Sequence, residues 1–201
     1  MPFPDAIAIA SRNGHKLEEI TRICADWPVE WVSFLERPDV PWPDVEETGE
    51  TYLDNALLKA RAVAIALGMP AVADDSGIEV DALGGKPGPR SARFAGKGAT
   101  DEANLALLIR AVAGVPSAGR TARYRCVAAI AVPNEKEAFA EGVCEGNLVR
   151  KRRGTGGFGY DPIFVPSGWD RTMAELSPEE KDRISHRGKA FRALRDQLAG
   201  L

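Results

Sequence analysis

Cysteine is scarce in this chain. Only Cys24, Cys126 and Cys144 occur among 201 residues, far apart and in no CxxC or zinc-ligand spacing. That pattern excludes a disulfide framework and a structural zinc site, and it suits a reducing compartment. Aromatic residues are only 7% of the chain, so the core must be built mainly from Ala, Val, Ile and Leu. No apolar run approaches the ~18 residues that a membrane-spanning helix needs. The start, Met1-Pro2-Phe3-Pro4-Asp5, has neither a basic segment nor a long apolar one, so no secretory leader is expected. Positive charge is not in excess: 26 Lys and Arg face 29 Asp and Glu, a net charge of −3. A bulk electrostatic grip on a nucleic acid polymer is therefore not expected. Several catalytic signatures are also missing, namely GxxxxGK[ST], GxSxG and HExxH. These absences together predict a cytoplasmic protein with no membrane or nucleic-acid partner.

What is present is an ordinary globular composition, 44% hydrophobic and 27% charged. The length fits one domain or one two-lobed unit, so residues 1–201 are read as a single domain. Ala6 to Ala10 is a short apolar run ended by Ser11-Arg12-Asn13-Gly14. A helical pattern with Leu17, Ile20 and Cys24 on one face follows at once. That order opens a β-α unit. Trp31 to Phe34 reads as a second strand, and residues 36–50 as a proline-containing acidic loop. The clearest helix is predicted over about 52–67, with Thr51 and Asp54 close to a capping box and Gly68 as its stop.

Pro70 to Ala73 reads as a buried strand that ends at Asp74-Asp75-Ser76-Gly77. Further helices are predicted over Thr100 to Ala113, from Ser177-Pro178-Glu179-Glu180, and over about 186–199. Arg123 to Val132 and Ala138 to Val149 read as long strands around a turn at Pro133-Asn134-Glu135, and Pro162 to Val165 as a short one. Helices and strands mixed in this way predict an α/β or α+β class with a mixed sheet.

Four clusters carry candidate chemistry. Ser11-Arg12-Asn13-Gly14-His15-Lys16 joins a strand to a helix, where backbone N–H groups, a hydroxyl and an early lysine suit a phosphate. Glu46-Glu47 and Asp74-Asp75 are paired carboxylates, which repel one another unless a cation such as Mg²⁺ intervenes. Gly154-Thr155-Gly156-Gly157-Phe158-Gly159 matches GxGxxG, but a basic stretch precedes it and a strand follows, so a dinucleotide fingerprint fails its context. What survives is a glycine-rich loop presenting Phe158, able to stack on a base, together with Tyr160 and Asp161. Lys181 and Ser185-His186-Arg187-Gly188 bring cations to a helix junction, where they would neutralise phosphate or donate to a base oxygen. Each cluster alone is compatible with an ordinary cap, turn or solvated face. Carboxylates, cations and a stacking ring together describe a Mg²⁺–nucleotide site.

Read together, the clusters resemble the inosine triphosphate pyrophosphatase family, which acts on non-canonical purine nucleoside triphosphates. The resembling segments are Ser11 to Lys16, Glu46-Glu47-Thr48-Gly49, Asn55 to Ala60, Ala73 to Gly77, Gly84 to Gly88, Gly154 to Pro162 and Ser185 to Gly188. They stand in the family's order, with Ser11 where Thr is common and Arg12 where the family has a small residue. The resemblance implies a two-lobed α/β fold with a long mixed sheet flanked by helices, an active-site cleft between the lobes, and a homodimer. It implies Mg²⁺-dependent hydrolysis of ITP, dITP and XTP to the monophosphate and pyrophosphate. Ser11, Arg12, Asn13, Gly14, His15 and Lys16 would hold the triphosphate. Asp75 and Glu47 or Glu46 would hold Mg²⁺, and Asp75 would also activate water with support from Asp74. Ser76 would contact substrate; Phe158, Gly159, Tyr160 and Asp161 would form the base pocket, completed by Lys181, His186 and Arg187.

Two other functions compete. A Maf-like pyrophosphatase acting on pyrimidine nucleotides is disfavoured by Ser185 to Gly188 and by the Phe158 loop. A nucleotide-binding module without turnover is disfavoured by the full acidic set Glu46, Glu47, Asp74 and Asp75, since binding alone needs no water-activating carboxylate.

Overall fold

A computed structural model of the protein describes residues 4–198. Its regular elements are β1 (Ala6–Ile9), α1 (Gly14–Ile23), β2 (Glu30–Ser33), α2 (Tyr52–Leu67), β3 (Ala71–Val80), α3 (Asp101–Ala111), β4 (Thr121–Ala131), β5 (Glu137–Leu148), β6 (Phe164–Pro166), α4 (Pro178–Ile184) and α5 (His186–Leu198). The strands form one six-stranded sheet in the order β2-β1-β3-β4-β5-β6. β1 is parallel to both β2 and β3, whereas β5 is antiparallel to β6, so the sheet is mixed. The α/β class expected from the sequence is the class observed.

Local chemistry explains the helix ends. The Thr51 hydroxyl accepts from the Asp54 N–H, and the Asp54 carboxylate accepts from the Thr51 N–H, which completes the capping box of α2. Gly68 ends that helix at φ 63°, a conformation that costs glycine little. Ser177 and Glu180 build the same box at α4, with Pro178 at its first position.

The chain divides into two compact units. Among the described residues, the first comprises the chain up to Asp75, Cys126–Gly142 and the stretch from Arg187 to Leu198. Its core joins Ile7 and Ile9 of β1, Leu17 and Ile20 of α1, Val72 of β3, Ile130 of β4, and Phe191 and Leu194 of α5. Alanines Ala8, Ala60, Ala64, Ala71 and Ala73 form a second layer of small side chains where α2 meets β1 and β3. The second unit comprises Ser76–Arg125 and Val143–His186. Its core joins Ile78, Leu105, Leu108, Tyr124, Leu148, Tyr160, Ile163 and Phe164.

Three sequence expectations need correction or qualification. Asp74 and Asp75 do not end a strand; β3 runs for ten residues in all, from Ala71 to Val80, and holds both carboxylates in its interior. It can continue because cationic side chains accompany these carboxylates. Beyond them, the Ser91 hydroxyl accepts from the Ile78 N–H at 2.9 Å. Gly77 is needed there, since a Cβ would lie 2.2 Å from the Gly88 carbonyl oxygen. Pro162 to Val165 is not one strand. Asp161–Ile163 forms a 3-10 turn and only Phe164–Pro166 pairs, Pro162 having no N–H to give a ladder. The last helix is described to Leu198. Its expected end at 199, and the expectation drawn from residues 1–3, lie outside the described residues. No helix among the described residues is long and apolar enough to cross a membrane.

Candidate active site

In the first unit, β1 delivers the chain to α1 through Ser11 and Asn13. The Asn13 side chain caps the helix by accepting from the Lys16 N–H at 3.2 Å, and the Ser11 hydroxyl accepts from the Asn13 N–H. Gly14 opens α1, and His15 is exposed beside it. Lys16, half-buried, reaches back to Asp74 at 3.1 Å. Asp74 is 2% exposed and also accepts from Arg187 of α5, at 3.0 Å from Nη2 and 3.2 Å from Nε. The same guanidinium bonds Glu19 of α1. Burial by itself would raise the Asp74 pKa, but Lys16, Arg187 and Lys59 outweigh it and hold Asp74 well below the usual carboxylate range.

Asp75 points to the other side of the strand and meets other partners. Asn55 and Lys59 stand four apart in α2 and so share one face of the helix. Asn55 donates to Asp75 Oδ2 at 3.2 Å, and the Lys59 ammonium lies 3.8 Å from Asp75 Oδ1. Lys59 also bonds Glu47 at 2.6 Å. The net result for Asp75 is opposite to that for Asp74. Burial raises its pKa, Glu47 adds to the rise, and Lys59, Lys16 and the Asn55 bond only partly oppose it. Lys59 keeps its proton firmly: burial works against the charge, but Asp75, Glu47 and Asp74 more than restore it. One strand thus presents a carboxylate locked in its ionised form beside one that holds a proton more readily, the pattern that separates acid–base roles.

The second of these carboxylates is the one that could hold a divalent cation. Glu47 and Asp75 both face the Lys59 ammonium, so their oxygens converge on one positively charged group. No group of three or more His, Cys, Asp and Glu side chains suited to a metal occurs among the described residues. Two carboxylates are what Mg²⁺ ordinarily takes from a protein when substrate phosphates and water complete its shell. Of the two candidate glutamates, Glu47 makes the contact with Lys59, while Glu46 is exposed.

In the second unit the glycine-rich segment is organised by Asp161, which is 3% exposed. Its Oδ2 accepts from Lys181 at 2.5 Å and from the Phe158 N–H at 2.9 Å, and its Oδ1 from the Tyr124 hydroxyl at 3.1 Å. Gly157 is required there: at φ +67° a Cβ would stand 2.1 Å from the carboxylate. The Lys181 ammonium lies 5.0 Å from the centre of the Phe158 ring, and that ring is only partly buried. His186 stacks on Tyr124, ring centres 4.6 Å apart at 8°. Gly159 donates its N–H to Asp101, and buried Tyr160 donates its hydroxyl to the Ser91 carbonyl at 2.7 Å. Ser76 is half-buried in β3.

The structure therefore gathers the expected residues into two sets. Lys16, Asp74 and Arg187 on one face of β3, with Asp75 and Glu47 on the other, make the first. Phe158, Asp161, Lys181 and His186 make the second. Asn55, Lys59, Glu19 and Tyr124 were assigned no role from the sequence. The polar pair Asn55 and Lys59, four apart in an otherwise alanine-rich helix, was a legible signal for two of them; Glu19 and Tyr124 left none.

Comparisons with known proteins identify the family. The Ham1 family model matches residues 7–197. A dITP/XTP pyrophosphatase of Geobacillus kaustophilus is 49% identical over 191 residues, covering 95% of this chain and 93% of the relative. One of Streptomyces coelicolor is 51% identical over 190 residues, 94% of each chain. Among solved structures, the Staphylococcus aureus Ham1 protein superposes with a TM-score of 0.83 at 40% identity, covering 97% of this chain and 98% of that one. A HAM1 protein from Coxiella burnetii gives 0.84 at 40% identity, with 98% and 99% covered. With the ordered motifs, the mixed sheet and this coverage in agreement, the chain belongs to the Ham1 family.

Proposed function

We propose that this protein hydrolyses the non-canonical purine nucleoside triphosphates dITP, XTP and ITP to their monophosphates and pyrophosphate, with Mg²⁺ as cofactor. The observation that carries the reading is the pair Asp74–Asp75, adjacent in one strand, the first held by Lys16 and Arg187 and the second by Asn55 and Lys59 beside Glu47. The enzyme class is the one named for its relatives from Geobacillus kaustophilus and Streptomyces coelicolor.

Ser11, Asn13, Gly14, His15 and Lys16 receive the triphosphate, with the α1 N-terminus and the Lys16 ammonium offsetting its charge. Glu47 and Asp75 hold the metal, which when bound supplies Lewis-acid stabilisation of charge on the phosphate oxygens. Asp75 accepts the proton of the water that attacks the α-phosphorus, its carboxylate oriented for that task by Asn55 and Lys59. Asp74 stays ionised and keeps Lys16 and Arg187 in place.

Phe158 stacks on the purine, and Lys181, with Asp161 behind it, sets the loop that presents the ring. His186 donates to the 6-keto oxygen that deaminated purines carry. Adenine would turn an amino donor toward that donor, a mismatch of ~1–3 kcal/mol for each unsatisfied group. Arg187, which the motif alone assigned to the base, is instead given a supporting role, because its guanidinium bonds Asp74 and Glu19. The chain works as one catalytic unit, as a homodimer in the cytoplasm.

The test is a pyrophosphate-release assay with and without Mg²⁺ on dITP, XTP, ITP, ATP and a pyrimidine triphosphate. Pyrophosphate from the three deaminated purines, with ATP poor, is the expected result. Equal kcat/KM for ATP and ITP would overturn the specificity, and release of orthophosphate would overturn the reaction.

A further inference from the structure

Arg12 stands in the phosphate-type turn but does not point its charge at the turn's centre. Its guanidinium carbon lies 5.0 Å from the centre of the Phe34 ring, and its Nη2 donates to the Trp42 carbonyl at 3.3 Å. Phe34 and Trp42 themselves meet edge to face at 6.4 Å. The Trp42 indole N–H donates to the Arg37 carbonyl at 2.8 Å, closing residues 37–42 into a compact turn. Trp42 also packs against the alanine layer around Ala8, Ala60 and Ala73. Five residues further on comes Glu47, in a stretch without regular structure. The far end of that stretch is tied down as well, since the Gly49 N–H donates to Asn55 Oδ1 at 2.8 Å.

From this arrangement we infer that Arg12 is a positioning residue for the acidic loop and not a phosphate ligand. It clamps the Phe34–Trp42 end of the loop to the Ser11–Lys16 turn, while Asn55 clamps the Gly49 end, and Glu47 is held between the two. The same Asn55 also donates to Asp75, so both clamps serve the Glu47–Asp75 pair. The cation–π contact is chemically specific: a flat positive group on an aromatic face holds orientation as well as distance. The inference rests on the proposed metal role of Glu47, but its structural half does not depend on that role.

The experiment compares wild type with Arg12→Ala, Arg12→Lys, Phe34→Leu and the Arg12→Ala/Phe34→Leu double variant. Hydrogen exchange of backbone amides over residues 36–50 needs no turnover. It should quicken in Arg12→Ala and Phe34→Leu, with α2 amides unchanged, and by less in Arg12→Lys, which keeps a cation on the ring. In turnover, the Mg²⁺ concentration for half-maximal rate should rise about two- to fivefold in each single variant, the scale of an exposed cation–π contact. The double variant should rise by less than the product of the two single effects, because both changes remove the shared Arg12–Phe34 contact. Nucleotide KM at saturating Mg²⁺ should stay within about twofold of wild type. Unchanged exchange over 36–50 would overturn the clamp. A raised nucleotide KM in Arg12→Ala with none in Phe34→Leu would make Arg12 a phosphate ligand. If wild type releases no pyrophosphate from any nucleotide, the proposed reaction fails and the exchange result still decides the clamp.

Discussion

Asp74 and Asp75 are neighbours in β3, yet they answer to different cations: Lys16 stands 3.1 Å from the first and Lys59 3.8 Å from the second. Strand geometry sends consecutive side chains to opposite faces, so a pair that would repel in a loop is separated in the sheet. Each face then sets its own protonation chemistry.

Removing the Asp75 charge should stop the chemistry without loosening the fold. Asp75→Asn keeps the volume and one oxygen but not the basicity, so kcat at saturating ITP and Mg²⁺ should fall by at least ~10²-fold. In metal-free protein the folded pKa of Asp75 lies above its unfolded value, so its ionised form costs stability as pH rises through the folded value. The melting temperature of metal-free Asp75→Asn near neutral pH should therefore match or exceed that of wild type. A variant that keeps most of its kcat would move the base role elsewhere.

Asp74→Asn should behave in the opposite way. The folded pKa of Asp74 is depressed, so its carboxylate stabilises the protein above the unfolded pKa and that contribution is lost as pH falls through the folded value. Neutralising it leaves Arg187 and Lys16 beside a lost partner. Breaking a buried pair in this way costs about 3–5 kcal/mol, which chemical denaturation would read directly.

The pH profile offers an independent check on the base. Activity should fall on the acid side as Asp75 takes up a proton, and because a bound cation opposes that protonation the limb should move to lower pH as Mg²⁺ is raised. Lys59→Met removes the nearest charge opposing protonation, so the acid limb of kcat/KM should move to higher pH. A limb that stays in place would mean that another group governs it.

Phe158→Ala should raise KM more than it lowers kcat. Stacking holds ground state and transition state alike, so its loss removes uniform binding of ~1–3 kcal/mol. Steady-state kinetics with ITP would show this, and an unchanged KM would make Phe158 a packing residue.

Gly157→Ala should damage the same loop by a different route. A methyl group 2.1 Å from the Asp161 carboxylate, on a backbone at φ +67°, cannot coexist with the Lys181 and Phe158 bonds. KM for ITP should rise at least as far as in Phe158→Ala, measured in the same assay.

The local half of this protein was determined by its sequence. Apolar periodicity and caps placed α2 at Tyr52–Leu67, and Ser177-Pro178 announced α4, because helix ends are decided by bonds within a few residues. The ordered motifs likewise carried the resemblance to the inosine triphosphate pyrophosphatase family. The partners were not legible. That Arg187 joins Asp74 and Glu19, that Lys59 links Glu47 to Asp75, and that Arg12 rests on Phe34 depend on residues brought together across long stretches of chain. Nor could the strand be followed past Asp74-Asp75, since two carboxylates read as a strand's end wherever nothing nearby in sequence neutralises them. Only tertiary structure supplies the cations. Charge interactions act through space, and the sequence states which charges exist but not which of them meet.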